Sequence, residues 1–407
     1  MLVTAGCGGG DAPSPRPVPP PAQTPPGLQT GILEGNANLL TPGTVPAEFV
    51  PWRDRLAALR PHYVRVLVDW EKLQPDGNAP PRFDFPADGC MRGTPPCAPF
   101  AGIRDVLKAL AARRAGGAEG WEPIAVIYGT PPWAARRPEA DPPGSGTCGL
   151  SDRAREPDPV AYRALVRALR AEAQADGVPI RWWAPWNEPN HPAFLAPQRA
   201  DCSARSTSTS AARYARIVEA FRAEQQAGDR LLLGELAGYD EPRRSASTVK
   251  EFIDDLPREV VCATTTWAQH LYVAQTDEAA GPEGDAPLAG DADAAGSPGL
   301  LRDVLAALDR RGCPRPHRLW LTETGVGGPR PGREAPTDPA EACRAMAAAL
   351  ATWQADRRIA VAIQYSFRED PSFPVGLADA GLTTLYPAYA PWREAPAGGN
   401  PGEDGCT

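Results

Sequence analysis

Residues 180–194 read IRWWAPWNEPNHPAF, an extended, aromatic-rich run that ends at Asn187-Glu188-Pro189. Proline pushes the residue before it toward extended backbone and cannot donate a ladder hydrogen bond, so Glu188 is expected where a strand gives way to a loop. Trp182, Trp183 and Trp186 would surround its carboxyl with apolar surface, which disfavours the charged form and suits a general acid. A second stretch, residues 318–326 (RLWLTETGV), is another short apolar run leading to a carboxylate, Glu323. The chain between the two glutamates has room for three strand–helix units of roughly 30–45 residues each.

Outward from these two stretches, extended and helical patterns alternate. Residues 31–38, 63–70, 121–128, 230–236, 263–273 and 359–367 read as further strands. Residues 46–59, 101–114, 159–176, 210–227, 249–256, 299–311 and 338–357 read as helices. Such alternation predicts a single α/β domain, a (β/α)8 barrel, with its chemistry at the C-terminal ends of the strands. The polar residues expected there are Asn187, Glu188, Glu235, His270, Tyr272 and Glu323. His270 and Tyr272 are two apart and share one face of their strand. Arg65, in YVRVLVDW, must be paired inside the sheet, either at the barrel floor or beside a carboxylate.

These motifs resemble the clan of retaining (β/α)8 glycoside hydrolases that contains the family 5 cellulases and family 39 xylosidases. The matching pieces are Asn187-Glu188-Pro189, Thr322-Glu323, His270-x-Tyr272, WEKLQP at 70–75, TPPWA at 130–134 and the closing segment 373–389. The resemblance spans about residues 31–392. It implies that Glu188 is the acid/base and Glu323 the nucleophile, with Arg65 and Tyr272 beside the nucleophile. Asn187 would hydrogen-bond a sugar 2-hydroxyl. Trp133, Trp186, Glu235, His270 and Tyr365 complete the implied substrate-binding set. At the end of the eighth strand, where the clan often has tryptophan, this chain has Gln364, Tyr365 and Phe367.

The 407 residues are 42% hydrophobic and 23% charged, which suits a globular domain. A net charge of −8 argues against a nucleic-acid partner. The nine cysteines include no CxxC pair, so no zinc site or other metal or cofactor is expected. Cys7, in LVTAGCGGG, resembles the acylated cysteine of a bacterial lipoprotein signal, with Thr4 where such signals prefer leucine. The proline-rich residues 11–27 would then be a spacer, placing a monomeric barrel (residues 28–395, with a tail at 396–407) at a cell surface or outside the cell. The other eight cysteines suit an oxidising compartment, with the expected pairs Cys90–Cys97, Cys148–Cys202, Cys262–Cys313 and Cys343–Cys406.

The reading is therefore a retaining O-glycoside hydrolase acting on an oligo- or polysaccharide. A non-catalytic surface carbohydrate-binding protein on a degenerate barrel is the alternative. A metal-dependent barrel hydrolase lacks the His-x-His it would need on an early strand, and a serine hydrolase lacks G-x-S-x-G.

Overall fold

The computed structural model of the chain describes residues 27–136, 151–201, 203–239, 246–273, 298–326, 338–397 and 406. Nine parallel strands form one sheet: β1 (Gln29–Leu33), β2 (Tyr63–Asp69), β3 (Glu122–Tyr128), β4 (Trp182–Ala184), β5 (Arg230–Leu231), β6 (Leu233–Leu236), β7 (Thr266–Val273), β8 (Arg318–Val326) and β9 (Ile359–Tyr365). Their order is β5-β4-β3-β2-β1-β9-β8-β7-β6. Only Leu232 separates the two end members, and its N–H donates to the Trp183 carbonyl at 2.9 Å. β5 pairs with β4 and β6 pairs with β7, so one broken strand closes the sheet on itself. The barrel therefore has eight staves, the fifth of them interrupted.

Alternate residues of each strand face opposite sides. Tyr63, Ile124, Trp182, Leu232, Ala268 and Trp320 share the interior cluster. Three of their rings form a plug, with Trp182–Trp320 centroids at 4.1 Å and Tyr63–Trp320 at 4.7 Å. Residues of opposite parity face the helices, as where Trp183 meets Phe221 at 5.6 Å. Gly102–Ala115, Pro159–Ala175, Ser210–Arg222, Pro298–Arg310 and Pro339–Ala355 are the long helices. Two of them begin Asp-Pro, and Asp158 and Asp338 each accept a first-turn backbone N–H. Proline fits at the first helical position because its missing N–H would have no partner there.

Several expected boundaries shift for local reasons. The first strand is Gln29–Leu33 rather than 31–38, because Asn36 caps a short helix, Ala37–Leu40. The strand before Glu188 has only three residues, Trp182–Ala184, since Pro185 supplies no donor. Glu323 does not end its strand: β8 continues to Val326, paired along β7 as far as Val273. Residues 258–261 form a further helical turn.

Cys90–Cys97, Cys262–Cys313 and Cys343–Cys406 are disulfide-bonded as expected. The fourth expected pair, Cys148–Cys202, lies outside the described residues, as do Cys7 and the proline-rich spacer. Among the described residues no helix is long and apolar enough to cross a membrane.

Candidate active site

Arg65, His270 and Tyr272 reach the barrel interior by simple alternation, two and four residues on from Tyr63 and Ala268. Glu235 and Glu323 do not. With Leu232 and Trp320 facing inward, strict alternation would send both glutamates outward to the helices. The β6–β7 register shifts between Gly234 and Leu236, and there Gly234 (φ +102°) and Glu235 (φ +53°) take the left-handed conformation. A Cβ at Gly234 would sit 2.3 Å from the Ala268 carbonyl oxygen, so only glycine fits. On β8, Leu321 faces Gln269 but Glu323 faces His270, leaving Thr322 as the extra residue of a bulge. The two bulges turn both carboxylates inward. Glu188 follows β4 in a left-handed conformation of its own (φ +37°), its N–H donating to the Glu235 carbonyl at 2.9 Å.

These side chains meet in one hydrogen-bonded cluster. Arg65 Nη1 donates to Glu323 Oε1 at 2.6 Å, and Nη2 donates to Glu235 Oε2 at 2.6 Å and Asn187 Oδ1 at 2.5 Å. The Tyr272 hydroxyl donates to Glu323 Oε2 at 2.6 Å. His270 Nδ1 lies 2.8 Å from Glu188 Oε1 and 3.4 Å from Glu323 Oε2, while Nε2 lies 3.2 Å from Glu235 Oε2. The Glu235 side chain is wholly buried; those of Glu188 and Glu323 keep 11% and 10% of their surface open, so only these two can meet a molecule in the cleft.

Burial opposes the charges of Glu188, Glu235 and His270, but the pairing outweighs it. Burial pushes the Glu188 carboxyl up, yet the His270 hydrogen bond and charge hold it below the usual carboxylate range. Glu235 is held down to about 2, burial being overcome by Arg65 and then His270. Burial disfavours the His270 cation, but Glu323, Glu188 and Glu235 raise it to about 10. The Tyr272 hydroxyl is pushed well up by burial and by Glu323, so it remains a donor.

This corrects the expectation of a Glu188 carboxyl kept neutral by tryptophans. Trp182 belongs to the interior plug and Trp183 faces Phe221. Trp186 is wholly buried, its indole N–H donating to the Phe194 carbonyl at 2.7 Å, and it does not line the cleft. Glu235, expected to touch substrate, is sealed beneath Arg65 and His270. Trp133 is 39% exposed but tied down, its indole N–H donating to the Gln74 carbonyl at 2.8 Å and its ring edge-on to Trp70.

Two rows of rings flank the carboxylates. Beside Glu323, Tyr272, Tyr365 and Phe373 form a triad with centroids 4.8–6.3 Å apart. On the Glu188 side, Tyr128, Phe194, His191 and Tyr239 follow one another at 5.5–5.8 Å. The sequence reading did not single out Tyr128, Phe194, Tyr239 or Phe373. Only Tyr128 carried a local signal, since it ends its strand facing inward, in step with Ile124 and Val126. Oxygen and nitrogen atoms of Glu188, His270 and Glu323 lie within 4.8 Å of one another, a spacing that could also hold a cation. Arg65 already sets a fixed positive charge against Glu323, so the site balances its carboxylates with protein cations.

No family model matches the chain, and no curated protein matches it. Solved structures do. A family 39 glycoside hydrolase from the gut symbiont Bacteroides cellulosilyticus WH2 is 14% identical, with a TM-score of 0.51 over 91% of this chain and 64% of that one. The GH5_18 protein of Bifidobacterium longum subsp. infantis is 17% identical, with a TM-score of 0.52 over 91% and 79%. The family 51 alpha-L-arabinofuranosidase AbfB from Bifidobacterium longum is 14% identical, with a TM-score of 0.52 over 91% and 74%. The fold is the (β/α)8 barrel these hydrolases share. At such identities the likeness establishes the fold, and what the site does must be argued from its own residues.

Proposed function

We propose that the protein is a retaining O-glycoside hydrolase acting on an oligo- or polysaccharide. The observation that carries this is the pair Glu188 and Glu323. They are the only two of the three clustered carboxylates with open surface, and an oxygen of each lies within 4.8 Å of the other. Oxygens that close support the carboxyl separation of about 5–5.5 Å used in double displacement over the roughly 6.5–9.5 Å that inversion needs to admit a water between the carboxyls. Glu323, oriented by Arg65 and Tyr272, attacks the anomeric carbon. Glu188 protonates the leaving oxygen, then takes a proton from the water that hydrolyses the glycosyl-enzyme. Asn187 spends its carbonyl oxygen on Arg65, which leaves its amide N–H groups to donate to a sugar hydroxyl. Tyr128, Phe194, Tyr365 and Phe373, each partly exposed, are the candidates to pack against the sugars on either side of the scissile bond. Three disulfides support an oxidising compartment, hence an exported enzyme.

A panel of aryl glycosides and polysaccharides tests the reading. Turnover with retained anomeric configuration is expected, and Glu323→Ala should abolish it. Glu188→Ala should lose roughly 10²–10⁴-fold on poor leaving groups, with azide restoring turnover on activated ones as a glycosyl azide of retained configuration. An inverted product, or full activity in Glu188→Ala, would overturn it. Binding of a polysaccharide with no cleavage of any substrate would favour the carbohydrate-binding alternative.

A further inference from the structure

Glu235 is a buried carboxylate that the double displacement itself does not use. We propose that Glu235 is a positioning residue that keeps His270 doubly protonated, so that the proton Glu188 delivers to the leaving oxygen is stored on His270 Nδ1. The inference rests on the assignment of Glu188 as the acid.

The geometry leaves little freedom. Glu235 Oε2 receives Arg65 Nη2 at 2.6 Å and faces His270 Nε2 at 3.2 Å, and its Oε1 is buried with no hydrogen-bond partner among the described residues. Arg65 Nη2 also lies 3.5 Å from Nε2, but its two hydrogens are taken by Glu235 Oε2 and Asn187 Oδ1; a bare Nε2 lone pair would therefore confront the carboxylate oxygen, so Nε2 carries a proton. The opposite ring nitrogen, Nδ1, is 2.8 Å from Glu188 Oε1. Two lone pairs cannot face each other at that distance in a buried site, so one proton lies on this line as well. The pair therefore holds that proton as imidazolium and carboxylate, or as imidazole and carboxylic acid.

The charged groups facing His270 come from four separate places in the barrel: Arg65 on β2, Glu188 after β4, Glu235 on β6 and Glu323 on β8, whose Oε2 also accepts from the Tyr272 hydroxyl. Three carboxylates against one guanidinium favour the imidazolium form at rest. In the first step the Nδ1–H bond breaks and a Glu188 O–H bond forms. Rotation of the carboxyl turns that proton to the glycosidic oxygen, where the O–H bond of the departing alcohol forms. In the second step the attacking water loses a proton to Glu188, which returns it to Nδ1, and the inventory closes.

Nitrogen-15 NMR of the labelled full chain reads this without any substrate, because the chain has only four histidines and His270→Gln assigns the resonance. In the wild type at pH 7, both ring nitrogens of His270 should be protonated. In Glu235→Gln, the midpoint for loss of that proton should fall by about one pH unit or more. The basic limb of kcat/KM should move down with it. His270 carrying a single proton in the wild type at pH 7 would overturn the proposal, and this measurement stands even if Glu235→Gln does not fold. A limb that stays in place or moves up in Glu235→Gln would overturn it too. Absence of turnover on every glycoside, with the NMR result as expected, would instead count against the hydrolase assignment.

Discussion

Glu323 stands opposite His270 in the β7–β8 ladder because the register slips by one residue at Thr322. Without the slip, Thr324 would follow Trp320 inward and Glu323 would point to the helices. The slip brings the Tyr272 hydroxyl to 2.6 Å from Glu323 Oε2 and His270 Nδ1 to 3.4 Å from the same oxygen.

Tyr272→Phe removes one short hydrogen bond to Glu323 while keeping the ring against Tyr365 and Phe373. Losing one well-placed donor to the proposed nucleophile should lower kcat/KM by roughly 10–100-fold. The melting temperature should change little. Steady-state kinetics with calorimetry on the same preparation checks both.

Arg65→Met leaves Glu235 buried without its guanidinium. Breaking a buried ion pair from one side costs about 3–5 kcal/mol, so urea denaturation should show a midpoint lowered accordingly. Arg65→Lys should recover part of the loss, because a point charge cannot reach Glu323, Glu235 and Asn187 together.

Stability should peak between about pH 4.5 and 6.5. Glu235 is depressed from 4.5 to about 2, so its contribution is complete above its unfolded value and is lost as pH falls toward 2. At about 1.4 kcal/mol per pH unit this amounts to about 3 kcal/mol. His270 is raised from 6.5 to about 10, so its contribution is complete below 6.5 and is lost as pH rises toward 10. Thermal melts from pH 2 to pH 10 should therefore fall on both sides, and Glu235→Gln should flatten the acid side.

Trp133→Ala should show packing as well as binding. The indole hydrogen bond to Gln74 and the edge-on contact with Trp70 together suggest a loss of about 1–3 kcal/mol. The exposed part of the ring should add a raised KM for polysaccharide. Differential scanning fluorimetry beside saturation kinetics separates the two, and an unchanged KM would mean that the ring only packs.

Strand–helix alternation and the motifs pointed to the barrel and named the polar residues of its centre. Asn187-Glu188-Pro189 placed Glu188 in the loop beyond a strand, although the strand itself ends earlier, at Ala184, and Glu188 is left-handed rather than extended (φ +37°); His270-x-Tyr272 marked one strand face because strands alternate. The pairs Cys90–Cys97, Cys262–Cys313 and Cys343–Cys406 were expected only from order along the chain, and the structure forms them. Only the tertiary structure decided which way Glu235 and Glu323 face, because each direction depends on a register slip between strands distant in sequence. It also decided that His270, not tryptophan, sets the charge of Glu188, and that Trp186 is packing. A carboxyl's proton affinity depends on which groups lie within a few ångströms of it, and here those groups are brought together from separate strands by closure of the barrel.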